Sequence, residues 1–169
     1  MRPAPLLVGS CLLGCADQAG PAANAPVTID KARLVGPSPD VPHVLADCDA
    51  LGQMRLELDP AQAVVDPDGD PIFSYWLVNY ATRPNQPPAQ DDVRKAAPLA
   101  LPFVVDACAD REIVPGRINT VELVVRDRPP ADELSGTGVH DLLAGSAAAL
   151  DSAVWFIQVD STACCGVTP

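Results

Sequence analysis

Val65-Asp66-Pro67-Asp68-Gly69-Asp70-Pro71 runs directly into Ile72-Phe73-Ser74-Tyr75-Trp76-Leu77-Val78-Asn79-Tyr80. The first half is turn chemistry. Gly69 accepts a positive φ, and aspartate side chains accept backbone N–H bonds a residue or two on. Pro67 and Pro71 fix φ on either side. The second half is β-branched and aromatic, with apolar residues at both parities, which is how a strand covered on both faces reads.

Working outward, the same language repeats. Met54, Leu56 and Leu58 alternate with Arg55 and Glu57. Val121, Leu123 and Val125 alternate with Glu122 and Arg126, and Trp155, Ile157 and Val159 with Phe156, Gln158 and Asp160. Period two marks strands with one buried and one wet face. Val27–Val35 reads as a first strand. Leu99–Val105 reads as another, pushed to an edge or a bulge by Pro102. Clusters of Pro, Gly, Asp and Asn separate the strands, and no βαβ alternation is present. The expectation is an all-β chain folded as an antiparallel sandwich of six or seven short strands.

Two connections are long. Ala81–Pro98 holds four prolines and is expected to be an extended surface loop. Arg128–Ser152 opens on Pro129-Pro130, carries Leu134, Leu142 and Leu143, and leaves room for a short helix around Val139–Ala144.

The VDPDGDPIFSYW stretch resembles the turn and aromatic strand of Ig-like modules in bacterial surface proteins, the PKD-like and cadherin-like domains. The resemblance implies an Ig-like antiparallel β-sandwich of about seven strands, with Trp76 packed between its sheets. Val121–Asp127 then looks like a later strand of such modules, and Trp155 joins the expected core. Asp66, Asp68 and Asp70 at alternate positions also match the opening of an EF-hand loop. That loop needs Gly sixth and Glu twelfth, where this chain has Pro71 and Leu77. A calcium ion on Asp66, Asp68 and Asp70 therefore stands beside the plainer reading, a structural turn.

Arg2 precedes an apolar run, Leu6–Gly14, too short at ~14 Å of helix to cross a bilayer. Residues 1–14 read as a signal peptide. Leu12-Leu13-Gly14-Cys15 resembles the lipobox of bacterial lipoproteins, which implies cleavage after Gly14 and acylation of Cys15. Two or more acyl chains anchor durably where one does not. Residues 15–26 then form the lipidated Cys and a small-residue, proline-punctuated tether, and residues 27–169 the domain. The expected place is the cell envelope, held to the membrane by lipid.

Six cysteines are present. Cys11 falls in the leader and Cys15 in the anchor. Cys48, Cys108, Cys164 and Cys165 remain, an even number in an exported domain, which reads as two disulfides. A bridge between neighbours closes a strained ring. The favoured pairing therefore joins each of Cys164 and Cys165 to one of Cys48 and Cys108. A Cys48–Cys108 bridge beside a vicinal pair is the alternative.

Composition excludes several classes. Of 169 residues 19 are proline, about twice the usual share, which is incompatible with a long-helix bundle. The 22 acidic residues against 11 Lys and Arg give a formal charge of −11, the wrong sign for nucleic acid. No C-x-x-C, G-x-S-x-G, Walker A or dinucleotide glycine motif is present. No cofactor is expected beyond the calcium alternative. The expected role is non-catalytic, structural or binding a protein or glycan. The alternatives are a calcium-dependent adhesion module and an accessory subunit of an envelope complex.

Overall fold

The computed structural model describes residues 24–48, 52–60, 62–82, 86–127 and 150–160. They form nine strands: β1 (Thr28–Ile29), β2 (Pro42–Leu45), β3 (Arg55–Leu58), β4 (Val64–Val65), β5 (Ile72–Val78), β6 (Gln90–Arg94), β7 (Phe103–Asp106), β8 (Ile118–Arg126) and β9 (Leu150–Val159). Two short 3-10 turns, Lys31–Arg33 and Tyr80–Thr82, complete the elements. The expected helix around Val139–Ala144 lies outside the described residues.

Five strands make the larger sheet, in the order β2-β9-β8-β5-β6. Two pairs, β1-β4 and β3-β7, make two smaller ones. All three sheets send side chains into one core. Met54 and Leu58 from β3 and its approach, Val105 from β7, Ile29 from β1 and Val64 from β4 meet Trp76, Val121, Leu123, Val125, Trp155 and Ile157 of the larger sheet. The alternating residues of β3, β8 and β9 thus bury one face, as period two requires.

Trp76 and Trp155 are 1% exposed and lie at the centre. The Trp76 ring stacks on Phe103 with centroids 5.3 Å apart and tilts against Trp155 at 5.5 Å. Each indole also has its polar atom satisfied. Trp76 Nε1–H donates to the Leu101 carbonyl at 3.0 Å and Trp155 Nε1–H to the Pro37 carbonyl at 2.8 Å. A buried indole without such a partner would be costly, and each bond contributes roughly 1 kcal/mol net.

Four expectations are corrected. The first strand is only Thr28–Ile29, not Val27–Val35. Asp30 ends it, because its side chain accepts from Ala32 N–H and opens the Lys31–Arg33 turn. Val35 rejoins β structure only through a bridge to Asp59. The Ala81–Pro98 stretch is not one extended loop: it contains β6, which pairs antiparallel with β5 from Ile72↔Arg94 to Trp76↔Gln90. The pairing is not wholly antiparallel, since β2 runs parallel to β9 from Pro42↔Phe156 to Leu45↔Val159. Finally, Leu99–Pro102 are not strand. β7 starts immediately after Pro102, which cannot donate to the ladder.

Candidate functional site

The two ends of β8 carry different chemistry. β8 spans Ile118–Arg126, so its ends lie about 26 Å apart at ~3.3 Å per residue.

At the Arg126 end sits the aspartate turn that precedes β5. Gly69 holds φ +76 there, a conformation open to glycine at little cost. The carboxyls of Asp66 and Asp68 face each other. Burial, and then the neighbouring Asp68, hold the Asp66 carboxyl above its ordinary range. The Asp68 carboxylate is held below it, first by the backbone N–H of Ala25 and then by Asp66. Asp68 Oδ2 accepts that Ala25 N–H at 2.8 Å. One residue earlier, Asn24 Nδ2 donates to Asp127 Oδ2. Asp127 closes β8 and is 4% exposed. The chain thus enters the fold pinned at Asn24 and Ala25, before the expected domain start. Among the described residues no group of three or more His, Cys, Asp or Glu is placed to hold a metal ion. Asp66, Asp68 and Asp70 are therefore not gathered as a metal-holding set.

At the Ile118 end two hollows open. One, about 300 Å³, lies among Val78, Phe103, Asp110, Arg111 and Glu112. The other, about 340 Å³, lies among Asn79, Thr82, Val114, Arg117 and Ile118. Two asparagines line the second hollow. Asn79 leaves β5 with φ +50, in the left-handed region that asparagine tolerates better than most residues. Its Nδ2 donates to the Glu112 carbonyl and to Asn119 Oδ1, and its Oδ1 accepts Thr120 N–H at 3.0 Å. Asn119, 1% exposed, accepts Val114 N–H at 2.8 Å and donates to the carbonyls of Val114, Arg117 and Ile157. A buried amide with every group satisfied fixes the loops it touches.

The cysteine-bearing segments open at this same end. Cys48 lies three residues beyond Leu45, the β2 residue opposite Val159. Cys108 lies two beyond Asp106, whose Oδ1 accepts its N–H at 3.1 Å. Both cysteines are exposed. The chain leaves β9 at Asp160, whose N–H donates to the Leu45 carbonyl at 3.0 Å. Cys15, Cys164 and Cys165 lie outside the described residues.

Sequence reasoning missed Asn79, Asn119, Arg111, Arg117 and Asp127. Only Asn79 left a local trace, a turn-forming residue at the close of an apolar strand. The others act through partners on other elements. The chain matches no protein-family model, no curated protein and no solved structure.

Proposed function

We propose that this chain is an exported, lipid-anchored cell-envelope protein. Its Ig-like β-sandwich serves a non-catalytic role, structural or binding a protein or glycan. One observation carries the reading: the chain enters the fold at one end of β8, while the polar hollows open at the other. A module anchored through Cys15 would then present its hollows away from the membrane. The strand pairing supports the Ig-like assignment. β5, β8 and β9 share one sheet, β3 and β7 another, and a tryptophan of β5 fills the space between, the arrangement of the C, F, G and B, E strands in such sandwiches.

Two disulfides brace the distal end in this reading, each joining Cys164 or Cys165 to Cys48 or Cys108. Four residues from Asp160 reach at most ~14 Å, and both partners open at that end. Each bridge closes a long loop and stabilises by about 3 to 5 kcal/mol on the chain-entropy view.

The intact mass of the native protein from the membrane fraction tests the whole reading. The expected species starts at Cys15, carries acyl chains and has four oxidised thiols. A product that begins at Met1, stays in the cytosol and keeps its thiols reduced overturns it.

A further inference from the structure

From the two hollows at the Ile118 end we infer a binding site for a glycan that carries isolated carboxylate groups, with Arg111 and Arg117 as its cationic contacts. The inference rests on the proposed binding role and names its ligand class.

Charge accounting is the first support. In a chain with twice as many acids as bases, cations tend to be taken. Lys31 pairs with Asp40, Arg33 with Asp30, Arg55 with Asp106 and Arg94 with Asp92. Lys95, Arg111 and Arg117 are exposed and have no ion-pair partner among the described residues, and of these three Arg111 and Arg117 border the hollows. Each of the two arginines lines one hollow. An unengaged guanidinium presents a planar fork of donors that matches a carboxylate in bidentate fashion.

The second support is preorganisation. The Asn79–Asn119 network ties the loop before Thr82 to the Glu112–Arg117 loop, so Arg117 is carried on fixed backbone and Arg111 stands one residue before the fixed Glu112 carbonyl. Fixed backbone lowers the ordering cost of binding. The third is size and lining. Hollows of about 300 and 340 Å³ lie at the small end of ligand sites. Asp110, Glu112 and Thr82 add carboxylate and hydroxyl groups that suit sugar hydroxyls.

An acidic peptide fits less well. Peptides commonly bind by adding a strand, and the edge strand β6 is blunted: Asp92 Oδ1 accepts the Val93 N–H at 2.9 Å, and Arg94 Nη1 donates to Asp92 Oδ2 at 3.3 Å. A dense polyanion fits poorly too, because the formal charge of −11 repels it.

The test is calorimetric titration of the full processed protein with a galactotriose whose two end residues are oxidised to galacturonate, so that its carboxylates are separated by a neutral sugar, beside neutral galactotriose and the peptide Glu-Glu-Glu. The expected result is saturable binding of the uronate in roughly the millimolar range or tighter. Galactotriose and the peptide should bind about tenfold more weakly. Arg111→Gln and Arg117→Gln should each weaken the uronate by about tenfold without moving the melting temperature. Three results overturn the inference: no saturable uronate binding, equal binding of galactotriose or the peptide, or binding indifferent to both substitutions. The intact mass reports the anchor separately, so either reading can fail without the other.

Discussion

Glu122 lies on the second face of the larger sheet, opposite Leu77 on β5 and Val154 on β9. Its neighbours on that face, Tyr75, Leu77 and Val124, are themselves buried. Burial raises the Glu122 carboxyl above its ordinary range, and a hydrogen bond with Ser152 offsets this only in part. The folded state therefore holds this proton more tightly than the unfolded chain does. The associated stabilisation is present in acid, below the unfolded pKa, and is lost as pH rises through the folded value. Glu122→Gln removes the ionisation while keeping the shape. Thermal melts at pH 7 should show the variant higher than the unaltered protein. The difference should close toward pH 4. A variant that melts lower at pH 7, or a gap that widens in acid, contradicts the argument. Asp106 has the opposite sign. The Arg55 side chain first, helped by the N–H groups of Cys108 and Ala109, holds it below the ordinary range, and its contribution is lost as pH falls.

Among elements, legibility followed the reach of the interactions. β3, β5, β8 and β9 could be read directly, because Met54 and Leu58, Ile72 to Val78, Val121 to Val125, and Trp155 to Val159 each encode burial in their own alternation. β2, β4 and β6 could not. Gln90-Asp91-Asp92-Val93-Arg94 has one apolar residue and becomes a strand only because β5 offers it a partner. Pro42–Leu45 is half exposed and is held by a parallel ladder to residues more than a hundred positions away. The polar character that hid β6 also protects it. Asp92 takes up the Val93 N–H, and charge along the strand discourages pairing with a second molecule. Asp92→Val removes both the acceptor and the charge beside the already exposed Val93. Light scattering after size-exclusion chromatography should then show concentration-dependent dimers or larger species. A variant that stays monomeric across the same concentrations removes this account of the edge.

For the molecule as a whole, the decisive geometry is where the chain enters. Asn24-Ala25-Pro26 has the composition of a linker, and local reading assigned it to the tether. The contacts that hold it are long-range. Asn24 reaches Asp127, 103 positions on, and Ala25 reaches Asp68, 43 positions on. No window of neighbouring residues contains that information. The consequence is mechanical. If Cys15 is the anchor, a pull on the body arrives at the close of β8, a central strand of the five-stranded sheet, and is shared by the turn before β5. Asp127 is buried, and its Oδ2 takes the Asn24 amide. Asp127→Ala removes that acceptor and should lower stability by about 2 kcal/mol, the range for a hydrogen bond to a charged group. Its sharper signature is local. With Asn24 released, the Ala25 amide loses the partner that steadied its bond to Asp68, and its hydrogen exchange should speed by about tenfold or more. The Val121 and Val125 amides inside β8 should change only as far as global stability does. If the Ala25 amide already exchanges like an open coil in the unaltered protein, the pin does not hold and the tether extends to Val27. If it is protected and Asp127→Ala exposes it, the pin holds, and in the proposed anchored form a pull through Cys15 would be delivered at one end of the sheet, away from the hollows at the other.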